Sequence, residues 1–248
     1  MIGVLDSGLG GVTVLRELVK TVKNANFLYY CDSVNNPYGD KSSDEVYSIV
    51  KTIVDFLLSK GCVAIVLACN TASAMCVKKL REEYPDTLFI AIEPAYKMVH
   101  DYNPSGKTLV MATKGTIESE KFLALYHKFG NKNTILLPCR GLAELIEEGN
   151  EVETDRYLEN NLSEYKGVDN VVLGCTHYPL IKENIRRVLG DVKFFDGSVG
   201  VSKELARQLE LKSITFDKNN RTSFDFINTS SDPNKNIRFM ELMNSSDN

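Results

Sequence analysis

The feature that most constrains the fold of this 248-residue chain is a regular alternation between two kinds of segment. Short runs rich in branched and aromatic residues alternate with longer amphipathic stretches, which is typical of repeated βα units around mainly parallel sheets. The predicted strands are residues 2–5, 27–31, 63–68, 88–92, 109–112, 134–137, 171–174 and 192–195. The first predicted helix, 12–22, carries five apolar residues on one face: Val12, Leu15, Leu18, Val19 and Val22.

Residues 100–107 contain Pro104, Ser105 and Gly106, and this composition predicts a linker between two halves of the chain. Each half then contains about four of the predicted strands. Because the same alternation runs through both halves, we expect an α/β protein made of two similar domains. A polar stretch at 230–236 follows the last apolar run, and residues 237–244 are predicted to close the fold as a short helix.

The net charge and the hydropathy pattern exclude two classes of partner. The formal charge is −4, and no basic stretch is longer than a pair such as Lys78-Lys79, so we expect no binding to nucleic acid. No window approaches the roughly 20 apolar residues that a membrane span needs, and no basic segment precedes the apolar run at Ile2. We therefore expect a cytoplasmic protein that does not bind membranes.

The six cysteines are interpreted as reduced thiols, since a cytoplasmic protein of this size does not rely on a disulfide framework. Cys62, Cys69 and Cys76 are seven residues apart, which is not a zinc-ligand spacing, and the chain has only three histidines. We therefore expect no metal site. Four of the cysteines are interpreted as small buried packing residues: Cys31, Cys62, Cys76 and Cys139.

The first predicted strand runs into the loop Asp6-Ser7-Gly8-Leu9-Gly10-Gly11, which precedes a helix. Backbone amides at such a position favour a carboxylate or a phosphate. One alternative is a dinucleotide fingerprint with Asp32 as the ribose ligand, but Thr13 stands where the pattern needs glycine. Another is that Asp6 and Ser7 simply cap the helix.

The most informative feature is an echo between the halves, because VLACNT at 66–71 resembles VLGCTH at 172–177. Cys69 and Cys175 each follow an apolar strand and precede a predicted helix, so both fall at strand ends where ligands bind. A helix N-terminus would also lower the thiol pKa. Two equivalent thiols suggest a nearly symmetric reaction, in which a proton leaves one face of a carbon and returns to the other.

Other nucleophilic chemistries explain these residues less well. A Cys175-His177 nucleophile pair would account for one cysteine and leave Cys69 without a role. A serine hydrolase is not supported either, because the GxSxG motif does not occur in the chain. The residues alone therefore favour racemisation.

Several spaced motifs resemble those of glutamate racemases, in the same order and over nearly the whole chain. They are DSGLGG at 6–11, NNPYGDKS at 35–42, ACNTASA at 68–74, IEPA at 92–95, ATKGTIES at 112–119, LGCTHYPL at 173–180 and FINTSSDP at 226–233. Aspartate and hydantoin racemases share the cysteine pair more loosely, whereas PYG and GCTHYPL favour the glutamate branch. The chain is thus identified from its sequence as a member of this superfamily.

The resemblance implies roles for individual residues. Cys69 and Cys175 would be the two acid/base residues, with Cys69 acting on D-glutamate and Cys175 on L-glutamate, while Asp6 and His177 assist proton transfer. Glu147 stands where the family has a supporting glutamate, although the residues before it depart from the family's pattern. The residues implied to bind substrate are Asp6, Ser7, Tyr38, Gly39, Asn70, Thr71, Thr113, Thr116, Thr176 and His177, with Tyr38 and Gly39 expected at the distal carboxylate.

The resemblance also implies an architecture and a biological role. Residues 1–97 plus 207–248 would form the first α/β domain and 98–206 the second, with mainly parallel sheets and the active site between them. It implies a homodimer that needs no cofactor, acts on the small molecule glutamate and supplies D-glutamate for peptidoglycan. The alternatives are an aspartate or other amino-acid racemase, and a noncatalytic ligand-binding or regulatory relative.

Overall fold

The computed structural model describes residues 1–129 and 132–245. The strands in these residues are β1 Ile2–Asp6, β2 Asn26–Cys31, β3 Ala64–Leu67, β4 Leu88–Ala91, β5 Thr108–Ala112, β6 Thr134–Pro138, β7 Asn170–Gly174, β8 Lys193–Phe195 and β9 Ser223–Asn228. The α-helices are α1 Val12–Thr21, α2 Ser43–Ser59, α3 Asn70–Glu83, α4 Tyr96–Tyr102, α5 Lys114–Ile117, α6 Glu120–Phe129, α7 Leu142–Glu147, α8 Glu151–Leu162, α9 Lys182–Leu189, α10 Ser198–Leu211 and α11 Pro233–Asn244. Short 3₁₀ turns occupy Ser163–Tyr165 and Tyr178–Ile181.

The strands form two parallel sheets, in the orders β4-β3-β1-β2-β9 and β6-β5-β7-β8. Alternate residues of a central strand face opposite cores, so that Val4 of β1 packs into one cluster and Leu5 into another. Met111 and Val110 of β5 divide in the same way between the two cores of the second sheet. Because helices cover both faces, the central strands are continuous apolar runs. The predicted α/β fold class with two mainly parallel sheets is confirmed.

Each of the eight strands predicted from the sequence has a counterpart, but β9 was missed. In its sequence SFDFIN, Phe224 and Phe226 pack on one core of the first sheet and Ile227 packs on the other, while Ser223 and Asp225 are exposed. Such an edge strand gives a weaker apolar signal than a buried central strand. The closing helix predicted at 237–244 is present but begins earlier, at Pro233, because the Asp232 side chain accepts a hydrogen bond from the Asn234 amide.

The linker predicted at 100–107 was partly wrong. Helix α4 continues to Tyr102 because Val99 and neighbouring residues pack in the second sheet's core, so the connection to β5 consists only of residues 103–107. In the last part of the chain, β9 pairs with β2 in the first sheet, and Leu205 and Leu209 of α10 pack in that sheet's core. The boundary predicted at residue 207 therefore falls inside α10, and the division into 1–97 plus 207–248 and 98–206 stays a prediction.

A helix that spans a bilayer needs roughly 20 consecutive, mostly apolar residues. A membrane-crossing helix would have to be longer and more apolar than any helix in residues 1–129 and 132–245.

Candidate active site

The carboxyl ends of three central strands meet at one buried place. Strand β1 ends at Asp6, β3 leads into Cys69, and β7 leads into Cys175 and Thr176. The Ser7 hydroxyl lies 3.6 Å from the Cys69 sulfur, and the Thr176 hydroxyl lies 3.1 Å from the Asp6 carboxylate. The two sheets therefore bring the paired cysteine motifs to the same site, with all of these residues buried.

Asp6 lies between the two halves of the site. Its Oδ1 accepts a hydrogen bond from the Gly8 amide at 2.9 Å, and its Oδ2 accepts one from Thr176. Burial raises the pKa of Asp6 to about 6, although the nearby His177 lowers it. Helix α1 begins after Gly11 without a side-chain cap, so the interpretation of Asp6 and Ser7 as helix caps is wrong.

Cys69 is the N-cap residue of α3, and its sulfur accepts a hydrogen bond from the Ala72 amide at 3.5 Å. The sequence predicted that this helix terminus would lower the thiol pKa. Instead, burial and, to a smaller extent, the charge of Asp6 raise the pKa of Cys69 to about 12, because the Ala72 amide and the Ser7 hydroxyl only partly offset them. The expectation was wrong because removing a thiolate from water costs more than one amide returns.

Cys175 has an imidazole for its neighbour. Its sulfur lies 3.7 Å from Nδ1 of His177, whose Nε2 is 2.7 Å from Oε2 of Glu147. The sequence predicted a helix directly after Cys175, but the 3₁₀ turn Tyr178–Ile181 comes first and α9 begins only at Lys182. Cys175, His177 and Glu147 therefore form a buried chain of hydrogen-bonding groups.

The charged forms of His177 and Glu147 stabilise each other. Burial alone would raise the pKa of Glu147, but the hydrogen bonds from His177 and from the Leu9 amide at 2.7 Å lower it to about 2. Burial alone would lower the pKa of His177, but its bonds to Cys175 and Glu147 raise it well above the ordinary value. Glu147 is thus an ionised acceptor, and Nδ1 is the His177 nitrogen that faces the thiol.

The glycine-rich loop after β1 is in direct contact with these groups. A Cβ atom at Gly10 would lie 2.5 Å from Nδ1 of His177, and one at Gly8 would lie 2.7 Å from Oε2 of Glu147. Real Cβ atoms essentially never approach so closely. Gly8 and Gly10 are therefore explained by the close approach of the loop to the second half of the chain, with no need for a bound dinucleotide.

Asn70 and a group of threonines line the Cys69 side of the site. The Asn70 side chain is buried, and its Oδ1 has no hydrogen-bond partner in the structure. The Thr71 hydroxyl lies 2.9 Å from that of Thr113 and 3.4 Å from that of Thr116, so α3 contacts the start of α5. A buried carbonyl oxygen without a partner is suited to accept a hydrogen bond from a ligand.

Tyr38 and Gly39, the residues expected at the distal carboxylate, differ in the groups that they turn toward the site. The Tyr38 hydroxyl donates to Oδ2 of Asp32 at 2.6 Å, so this donor is already occupied. Gly39 accepts a hydrogen bond from the Gly115 amide at 3.1 Å and packs against Thr113. The backbone around Gly39 therefore lies beside the threonine group, while the Tyr38 side chain supports the loop.

Two residues near the site were not selected from the sequence for this role. Asp32 follows β2 as Asp6 ends β1, and it accepts hydrogen bonds from Asn35, Tyr38 and Thr229. Its position at a strand end was a usable signal. Lys235 lies 3.0 Å from Oε1 of Glu147, and no local pattern indicates this contact because 88 residues separate the two.

A metal centre would need several His, Cys, Asp or Glu side chains close together. In residues 1–129 and 132–245, no group of three or more His, Cys, Asp or Glu side chains is arranged to hold a metal ion. All six cysteines are free and buried. The chemistry that this arrangement itself offers is proton transfer by thiols, with an imidazole and two carboxylates in support.

The whole chain is similar to proteins of one known family. Residues 2–199 match the family described as Asp/Glu/Hydantoin racemase. A glutamate racemase of Clostridium novyi is 45% identical over 84% of this chain and 83% of its own, and one of Clostridium perfringens is 41% identical over 93% and 91%. The crystal structure of a Francisella tularensis glutamate racemase in complex with D-glutamate superposes with a TM-score of 0.83 at 29% identity, covering 99% of this chain and 94% of that chain. The resemblance inferred from the motifs is thereby confirmed, and the chain belongs to the Asp/Glu/Hydantoin racemase family.

Proposed function

We propose that this protein is a glutamate racemase that interconverts L- and D-glutamate by proton transfer between Cys69, Cys175 and the substrate α-carbon. The observation that carries the proposal is the convergence of two strand-end thiols on one buried site that also contains the unpaired Asn70 oxygen. The relatives described above, which cover most of the chain, are named glutamate racemases. The D-glutamate bound to the Francisella protein supports glutamate as the substrate class.

In the proposed reaction, the thiolate of one cysteine removes the α-proton and forms an S–H bond. The thiol of the other cysteine gives its proton to the opposite face of the carbon, so the two residues exchange protonation states and no net proton is consumed. The reverse reaction uses the same groups. The high pKa of Cys69 means that its thiolate has to be stabilised when substrate binds, and the substrate's ammonium group brings a positive charge that does so.

The α-proton of an amino-acid carboxylate is weakly acidic, so charge developing on the substrate has to be stabilised. We propose that the Asn70 side chain binds the substrate's amino and carboxylate groups together with Ser7, Thr71 and Thr176. Thr113, Thr116 and the backbone around Gly39 would complete the pocket toward the distal carboxylate, with Tyr38 supporting it. In a buried site such fixed dipoles act more strongly than they do in water.

Asp6, His177 and Glu147 have supporting roles in this proposal. His177 lies against Cys175 and is held by Glu147, so it can stabilise the thiolate or return a proton to it. The negative charge of Asp6 raises the pKa of Cys69, and the Asp6 carboxylate accepts a hydrogen bond from Thr176. We further propose that the reaction needs no cofactor, that the enzyme is a cytoplasmic homodimer, and that its D-glutamate is used for peptidoglycan.

The test is to incubate the purified protein with L-glutamate and a metal chelator and to follow the circular dichroism of the amino acid. We expect the signal to decay to zero as the racemic mixture forms, with no added cofactor. A requirement for pyridoxal phosphate would contradict the mechanism. Faster turnover of L-aspartate would contradict the substrate assignment, and absence of turnover with every amino acid would favour a noncatalytic relative.

A further inference from the structure

The Glu147 carboxylate has three partners, and one of them comes from the far end of the chain. Its Oε2 accepts the Leu9 amide and lies against Nε2 of His177, both at 2.7 Å. Its Oε1 accepts a hydrogen bond from the Lys235 ammonium at 3.0 Å. The carboxylate is therefore held on one side by the site and on the other by a single cation.

Lys235 is presented by a firmly packed element. It lies in the first turn of α11, whose Phe239 is fully buried and stacks on Phe226 of β9, with ring centroids 3.9 Å apart and an interplanar angle of 7°. Glu147 is the last residue of α7, in the half of the chain that carries Cys175. The ion pair therefore joins the C-terminal helix, anchored on the first sheet, to the hydrogen-bond chain of the second thiol.

The surroundings of this ion pair define what its loss would leave behind. A cleft of about 510 Å³ lies on the outer side of Glu147 and is lined by Lys235, Arg238 and several acidic residues. Only 4% of the Glu147 side chain is exposed, against 22% of the Lys235 side chain. Without the ammonium, water from the cleft would become the partner of Oε1, and a neutral donor holds a carboxylate less firmly than a charged one.

We propose that Lys235 is a positioning residue for the racemisation proposed above. Its ammonium holds the Glu147 carboxylate in the orientation that aligns His177 on the Cys175 sulfur. Lys235 does not touch the reacting atoms, and it acts only through Glu147. Its effect is therefore confined to the proton transfers of Cys175, and it leaves those of Cys69 unchanged. This inference rests on the proposed function.

The first experiment compares Lys235→Met, Lys235→Arg and the control Arg238→Met in the glutamate racemisation assay. Arg238 lies on the same helix and lines the same cleft, but its partner is Glu241 at 3.3 Å. We expect Lys235→Met to lower kcat about 10-fold and to change KM less than about twofold, because alignment rather than substrate binding is lost. Lys235→Arg should keep kcat within about threefold of that of the original protein, and Arg238→Met should keep it within about twofold.

A double-mutant cycle tests whether Lys235 acts through Glu147. In a Glu147→Gln background the carboxylate is gone, so adding Lys235→Met should change kcat less than about twofold. An equal loss from Lys235→Met in both backgrounds would overturn the inference, as would a Lys235→Met variant with unchanged kcat. If Lys235→Met does not fold, as judged by circular dichroism and thermal unfolding, Lys235→Gln replaces it in the same cycle.

Isotope effects test whether the effect is confined to one thiol. Slower proton transfer at Cys175 should raise the primary deuterium isotope effect for the α-deuterated enantiomer that Cys175 deprotonates and lower it for the other. An equal change for both enantiomers would overturn the inference. If the unmodified protein does not racemise glutamate at all, the proposed function fails, whereas normal racemisation with an unaffected Lys235→Met variant refutes only the role of Lys235.

Discussion

The Cys69 thiol and the Cys175 thiol occupy equivalent positions in their two sheets, but their neighbours differ in kind. Cys69 receives a hydrogen bond from the Ala72 amide and lies beside the Ser7 hydroxyl, neither of which titrates near neutral pH. Cys175 lies against an imidazole that is held in turn by a carboxylate. Equivalent backbone positions therefore do not require equivalent proton chemistry, and a reaction that is symmetric overall can use two unlike bases.

Asp6 connects the two environments. Its charge raises the pKa of Cys69, while its hydrogen bond to Thr176 ties it to the Cys175 side. Because it is buried beside His177, its own protonation is sensitive to pH near neutrality. The following predictions test how far the difference between the two sides extends.

The largest expected effect comes from replacing either thiol. Cys69→Ser and Cys175→Ser should each lower glutamate racemisation by about 10³-fold or more, because a serine hydroxyl is a much poorer base than a thiolate. Racemisation measured by circular dichroism, with folding checked by thermal unfolding, decides this. A near-normal rate in either variant would favour a one-base mechanism over the two-base mechanism. The difference between the two thiols would then have no catalytic meaning.

The next effect concerns the lining of the Cys69 side. Asn70→Ala should lower kcat roughly 10²- to 10³-fold, and Thr71→Ala should act in the same direction, because fixed dipoles that stabilise the developing charge are lost. Ser73→Ala is a matched control on the same helix, since the Ser73 hydroxyl donates to the Leu67 carbonyl inside the first sheet's core. Steady-state kinetics in which Asn70→Ala and Ser73→Ala behave alike would exclude Asn70 from the site.

A smaller effect is expected on stability, through Asp6. Its pKa is raised from 3.8 to about 6, so between these pH values the folded state retains a proton that the unfolded state has lost. The group therefore lowers the free energy of unfolding as pH rises through this window, by about 2–3 kcal/mol in total, and the loss is complete above about pH 6.

Asp6→Asn should remove this pH dependence. We expect the free energy of unfolding of the variant, measured by denaturant titration at pH 4, 5, 6 and 7, to rise relative to that of the unchanged protein up to about pH 6 and then to stay level. Activity should fall at the same time, since the carboxylate is lost from between the two thiols. Parallel stability curves for the two proteins would show that Asp6 does not titrate in this range.

The smallest effect is expected for a buried thiol outside the pair. Cys76→Ala should keep kcat within about twofold and lower the free energy of unfolding by about 1 kcal/mol, because Cys76 packs in the first sheet's core as a small apolar side chain. Cys62→Ala should behave similarly. A large loss of activity in either variant would show that thiol chemistry is not restricted to Cys69 and Cys175.

The alternation of apolar strands and amphipathic helices was enough to predict the α/β class and the positions of eight strands. These signals are local, because a buried parallel strand and a helix face each impose their own spacing on the sequence. The half-exposed edge strand β9 was missed, and α4 runs further than expected because its apolar residues pack on the second sheet.

The sequence by itself determined the family, the paired cysteine motifs and the strand ends at which Cys69 and Cys175 stand. Only the tertiary structure decided the raised pKa of Cys69, the hydrogen bond from Thr176 to Asp6, and the ion pair between Lys235 and Glu147. The physical reason is distance along the chain. Burial and long-range contacts depend on how the two sheets and the C-terminal helix pack together, and 170 residues separate the partners in the Thr176–Asp6 hydrogen bond.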